Sequence, residues 1–208
     1  MVINQLRPNK INEENILEIF ENTPKENYLD ERLTKNCYID KNLDIIEKRG
    51  YLKNLHLAQI IKYSEISNND KVLHLGGLTG YFSTLLSSLC KELLVVEENK
   101  YLFNLLEQNI INSNSSNINL FNKKLLNGLS IKSPYDLIII DGPIYQITEN
   151  IKQQLVKNAG RLIYIKKIDD NLAKAYKIIR NEDLYSSEYL FDVMTTYQIQ
   201  NKIEDFNF

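Results

Sequence analysis

The sequence predicts an α/β domain, a doubly wound and mostly parallel sheet sandwiched by helices, with an N-terminal helical segment ahead of it. Three observations carry this. From Lys71 onward, short apolar runs alternate with longer amphipathic stretches. One run, Leu137-Ile138-Ile139-Ile140, is apolar at consecutive positions, so it needs cover on both faces, as strands of a parallel sheet between helices do. The chain has 208 residues, 43% hydrophobic and 25% charged, which is enough for one good core and too little for two. The expected organisation is a single domain, with residues 1–70 as a helical cap and 71–208 as the α/β core.

In chain order, residues 11–20 have Asn12 as a candidate N-cap, acids in the first turn, and apolar Ile16, Ile19 and Phe20 at helical spacing. Thr23-Pro24 ends that helix. A second helix is expected from Leu55 to Tyr63, stopping before the turn cluster Ser67-Asn68-Asn69-Asp70. Strands follow at 71–75, 93–97, 118–121, 135–141 and 161–165, with helices between them at 81–90, 100–111 and 146–157. A further helix is expected around 172–179. The alternation of apolar and polar residues over 184–200 then suggests a closing antiparallel pair at one edge.

Composition excludes several classes of function. Lys plus Arg number 25 against 27 for Asp plus Glu, a formal charge of -2, which gives no electrostatic case for nucleic acid or for an anionic membrane. Cys37 and Cys90 are too few and too far apart for a disulfide framework or a metal site, and read as buried thiols. The first residues lack an apolar run of signal-peptide length, and no segment approaches the ~18 apolar residues of a membrane span. A cytoplasmic protein is expected.

In an open parallel sheet, ligands bind beyond the carboxyl ends of the strands. The first strand end reads Val72-Leu73-His74-Leu75-Gly76-Gly77-Leu78-Thr79-Gly80-Tyr81, a strand entering a glycine-bearing turn and then a helix. Glycines let the backbone approach a ligand, and the free amides of the helix start face it; a turn that merely needs glycine to turn is the plain alternative. Glu97 lies roughly twenty residues after Gly76, the separation at which an acid accepts from ribose hydroxyls in nucleotide-binding α/β folds. His56 sits among apolar neighbours and reads as a satisfied, partly buried residue, and Asp141-Gly142-Pro143 reads as a strand-end turn.

Taken together, residues 72–81, the strand Leu94-Val95-Val96-Glu97, the run Tyr135 to Gly142 and Gly160-Arg161-Leu162-Ile163 resemble the successive motifs of S-adenosylmethionine-dependent methyltransferases. More narrowly, the chain resembles the protein-L-isoaspartate O-methyltransferase family, especially its shorter bacterial members. Their opening is similar to Met1 through Asn9, and their ending to Leu190-Phe191-Asp192 through Phe208. The resemblance implies a Rossmann-like methyltransferase fold, S-adenosyl-L-methionine as cofactor, and methyl transfer to the free carboxylate of isoaspartyl residues in damaged protein or peptide. A carboxylate with a pKa near ~4 is ionised at neutral pH, so alignment and exclusion of water carry the rate and no general base is needed.

By the same resemblance, His74, Gly76, Gly77 and Gly80 line the methionine and ribose side, Glu97 meets the ribose, and Asp141 lies beside the reacting methyl. The departures are specific. His74 stands where the family has an acid, Leu78 where it has a further glycine, and Asn122-Lys123-Lys124 where it has Gly-Asp-Gly beside adenine. Leu52, within Arg49-Gly50-Tyr51-Leu52-Lys53-Asn54, takes the place of the substrate-contacting hydroxyl, which leaves Arg49 and Lys53 as carboxylate partners. These losses imply weaker cofactor binding and a slow enzyme. They keep two alternatives in view: a catalytically degenerate binding protein and a small-molecule O-methyltransferase.

Overall fold

The computed structural model describes residues 1–200. Ahead of the sheet come helices α1 (Glu14–Asn22) and α2 (Glu31–Thr34), an antiparallel hairpin of β1 (Leu43–Ile46) and β2 (Arg49–Tyr51), and α3 (Asn54–Ser64). The main sheet has the order β5-β4-β3-β6-β7-β8-β9. Its strands are β3 (Lys71–Leu75), β4 (Glu92–Val96), β5 (Ile118–Phe121), β6 (Leu137–Ile144), β7 (Asn158–Lys167), β8 (Leu172–Asn181) and β9 (Leu184–Met194). Between them lie α4 (Tyr81–Ser87), α5 (Lys100–Ser113) and the short α6 (Glu149–Gln153). The first five strands in this order are parallel, and β8 and β9 close the edge in antiparallel fashion.

Side chains of one strand alternate between faces, and each face has its own core. Val72, Val95, Leu137, Ile139 and Ile163 pack beneath α1, α3, α4 and α5, while Leu73, Leu94, Ile138, Ile140 and Leu162 pack beneath the 125–155 segment. Both faces of the central strands are therefore dry, as the run at 137–140 requires. No helix among the described residues is long and apolar enough to cross a membrane.

Five expectations are corrected. Residues 172–179 form β8 instead of a helix, because burial there alternates: Ala173 and Ala175 face the core, and Lys174 and Tyr176 do not. The helix expected over 146–157 shrinks to α6, capped by Thr148. The N-terminal cap contains the β1–β2 hairpin, turned by Lys48 at a φ of 57°. Residues 141–143 continue β6 through an irregularity in its pairing with β7 instead of turning. Helix α1 is capped at Glu13, one residue after Asn12, with no side-chain cap. Cys37 and Cys90 are buried free thiols as expected, and the family-like ending beyond Gln200 lies outside the described residues.

Candidate functional site

The carboxyl ends of β3, β4 and β6 bring together Gly76, Glu97 and Asp141, with Arg49 reaching in from the hairpin. Glu97 is fully buried and bound from four sides. Arg49 donates Nη1 to Oε1 at 2.7 Å and Nη2 to Oε2 at 2.8 Å; the Asn99 amide donates to Oε1 at 2.9 Å and the Leu78 amide to Oε2 at 3.1 Å. Such a two-pronged charged pair out of water is strong and geometrically fixed. Leu78 holds its amide there in the left-handed region, at a φ of 49°, a conformation normally given to glycine.

The glycines divide by role. Gly76, at a φ of 104°, faces the site: a Cβ there would lie 3.3 Å from Ile199 Cδ1 and 3.6 Å from both Arg49 Nη2 and Asp141 Oδ1. Gly77 and Gly80 face away from it. A Cβ at Gly77 would meet Val95 Cγ1 at 2.6 Å, and one at Gly80 would meet Leu106 Cδ1 at 3.2 Å, so these two serve the seating of α5 against the turn. Of the three glycines expected to line a ligand, Gly76 turns its open side to the site, while Gly77 and Gly80 turn theirs to the packing of α5.

His74 is also placed differently from expectation. Its ring is wholly buried beneath the turn, with Nδ1 2.9 Å from Ser83 Oγ on α4 and Nε2 3.2 Å from Asp141 Oδ1. A carboxylate only accepts, so Nε2 donates to Asp141, and in the neutral ring Nδ1 accepts from the Ser83 hydroxyl. The chain Ser83–His74–Asp141 has the partners of a nucleophilic triad, but Ser83 is fully buried and meets no substrate. Its effect is to fix the Asp141 carboxylate. Leu52 lies in the core at 1% exposure, and Lys53 sits 3.9 Å from Asp40; no hydrogen bond or ion pair among the described residues joins either to Glu97 or Asp141. His56 stacks on Phe191, its Nδ1 has no partner among the described residues, and burial pushes its pKa down to about 4, so it is not the satisfied residue expected.

Behind the turn, Tyr51 is the main support. Its hydroxyl accepts from the Tyr81 amide at 3.0 Å and the Thr79 amide at 3.2 Å, and bonds Thr79 Oγ1 at 2.9 Å, closing the start of α4. Those amides are therefore spent on protein, and a ligand finds none of them free.

Two spaces adjoin Arg49, on either side of its pair with Glu97. An open groove of about 650 Å³ runs beyond β4 and β5, with Lys48, Glu98, Asn99, Asn122 and Lys123 on its walls. The inner space, toward Gly76, Asp141 and Gly142, measures about 10 Å³, room for no more than one water. It is filled by a strap at residues 195–200. A Cβ on Gly142 would collide with Ile199 Cδ1 at 2.2 Å, so the Ile199 side chain lies directly over the Gly142 backbone. Gly76, Glu97 and Asp141 are the residues that would hold S-adenosylmethionine, the cofactor the resemblance implies, but in this closed arrangement the Glu97 carboxylate is engaged by Arg49 and two amides and Ile199 fills the inner end. Sequence reasoning missed Ser83 and Ile199, and held Tyr51 and Gly142 only as members of motifs, without these roles. Only the glycine at 142 gave a signal, as a place where another chain segment approaches closely.

Comparison with known proteins agrees with the fold. The family model described as Protein-L-isoaspartate(D-aspartate) O-methyltransferase matches residues 1–194. A protein-L-isoaspartate O-methyltransferase of Shewanella woodyi is 27% identical over 183 residues, covering 88% of this chain and 85% of its own. One from Koribacter versatilis is 25% identical over 163 residues, covering 78% and 73%. Among solved structures, a protein-L-isoaspartate O-methyltransferase superposes with a TM-score of 0.81 at 17% identity, over 94% of this chain and 64% of that one. A Plasmodium falciparum protein described as an enzyme of the same kind, solved with S-adenosyl-L-homocysteine, superposes with a TM-score of 0.79 at 17% identity, over 96% and 97%.

Proposed function

Because the chain belongs to the protein-L-isoaspartate(D-aspartate) O-methyltransferase family, we propose that it methylates the free carboxylate of isoaspartyl residues in damaged protein, with S-adenosylmethionine as methyl donor. The observation that carries this reading is the convergence of Gly76, Glu97 and Asp141 at the carboxyl ends of β3, β4 and β6, where open α/β sheets hold their ligands.

The chemistry suits the residues. The acceptor carboxylate arrives ionised, so the site needs no base, and none of the described groups around Glu97 is placed to act as one. What it needs is a cation to locate that carboxylate and a rigid wall to orient it. Arg49 and Lys53, on either side of the buried Tyr51-Leu52, are the cations of this reading, and Asp141, locked by His74, belongs to the wall. A second reading, a binding protein without transfer, is favoured by the four-fold saturation of Glu97.

A matched pair of peptides tests the proposal. An L-isoaspartyl peptide presents its free carboxylate on a main chain displaced by one methylene, while its aspartyl twin does not. Radiolabelled methyl is expected to pass to the first and not to the second. Equal labelling of both, or labelling of neither while S-adenosylhomocysteine binds, contradicts the repair reading.

A further inference from the structure

Arg49 and Ile199 occupy the two places a nucleoside ligand with a methionine tail requires. A ribose held by an acid at this strand end needs carboxylate lone pairs facing it, and Glu97 gives its own to two guanidinium N–H groups and two amides. Both occupants are built in. The hairpin that carries Arg49 is fixed by Gly50, where a Cβ would stand 2.2 Å from the Leu43 carbonyl oxygen. The strap that carries Ile199 is pinned at three successive residues. The Gln198 amide donates to the Lys48 carbonyl at 2.9 Å, and the Ile199 amide to the Pro143 carbonyl at 2.8 Å. Gln200 Oε1 accepts from the amides of Tyr145 and Gln146 at 2.9 and 3.0 Å. Strap and hairpin also hold each other, since the Tyr197 hydroxyl donates to Asp44 at 2.6 Å. They form one flap with two tips, one polar and one apolar.

We propose that this chain keeps its cofactor site shut with its own residues, Arg49 standing in for the ribose on Glu97 and Ile199 covering Gly76 and Gly142, so that cofactor enters only in exchange for both. This rests on the cofactor named under the proposed function and adds a self-competition to it. Affinity is then lowered by the fraction of molecules that are open. The exchange has a second consequence. Once Glu97 turns to a ribose, the Arg49 guanidinium is left beside the groove without its partner, and an acceptor carboxylate is the group that satisfies it. Cofactor and carboxylate acceptor thus favour each other's binding by the same factor.

Calorimetric titration of S-adenosylhomocysteine into wild type, Ile199→Ala and Arg49→Met tests this. Removing either tip is expected to tighten binding at least tenfold, an outcome opposite in sign to that for a residue that holds the cofactor. Equal or weaker affinity in both variants overturns the self-competition and leaves the cofactor reading standing. No binding to any of the three overturns both. Should Arg49→Met fail to fold, wild type suffices: hydrogen exchange at the Ile199 amide, bonded to Pro143, is expected to speed up at least tenfold at saturating S-adenosylhomocysteine. Unchanged protection there overturns the proposal.

Discussion

Lys25 shows what one buried charge contributes. It is 1% exposed, its ammonium bonds Asn54 Oδ1 at 3.1 Å and no other side chain among the described residues, and it lies 5.2 and 5.3 Å from the ring centres of Tyr51 and Tyr81. Burial pushes its pKa down from 10.5 to about 8. Below pH 8 folded and unfolded chains both carry the proton, and the folded state bears the full penalty, about 3 kcal/mol. As pH rises from 8 to 10.5 the folded chain sheds its proton first, so this residue's destabilisation fades with increasing pH. Lys25→Met is therefore expected to stabilise the protein at pH 7 in urea unfolding, with an advantage that shrinks toward pH 10. A difference that stays flat over that interval contradicts the assignment. The position matters because Tyr51, beneath the ammonium, is the residue that closes the start of α4. At this scale the sequence was only half informative: Glu97 and Asp141 were visible at strand ends, but the Arg49–Glu97 pair joins residues 48 apart, and no local pattern encodes it.

At the scale of elements, the turn between β3 and α4 divides its glycines by what they face. Gly77→Ala places a methyl against Val95 and Leu106, two core side chains, and overpacking of this kind costs about 1–3 kcal/mol. The expected outcome is a lower urea midpoint with little change in S-adenosylhomocysteine affinity once the variant is folded. Lost affinity at full stability contradicts the packing role and restores Gly77 to the ligand. The parallel strands were legible because consecutive apolar residues have one physical meaning, burial on two faces. Strand β8 was not, because Lys and Ala are good helix formers, and the alternation Ala173, Ala175, Lys177 appears only once the neighbouring strands cover one side. The hairpin escaped notice because its strands are four and three residues long, and its turn uses Lys48 in place of the usual glycine or asparagine.

For the molecule as a whole, family and sheet topology agree, while the site at the sheet's carboxyl edge is closed by segments far apart in sequence, the hairpin at 43–51 and the strap at 195–200. The losses visible in the sequence, His74 for an acid and Leu78 for a glycine, turn out to serve that closed form: His74 fixes Asp141, and Leu78 delivers an amide to Glu97. The resemblance implied weak cofactor binding through missing contacts; the self-competition proposed above would weaken it by a different route. Steady-state methyl transfer to an isoaspartyl peptide, compared between wild type and Ile199→Ala across cofactor concentrations, tests the whole account most directly. Transfer is expected to the isoaspartyl peptide alone, with the cofactor KM at least tenfold lower in the variant. Transfer by neither protein at any cofactor concentration, or an equal KM in both, contradicts it.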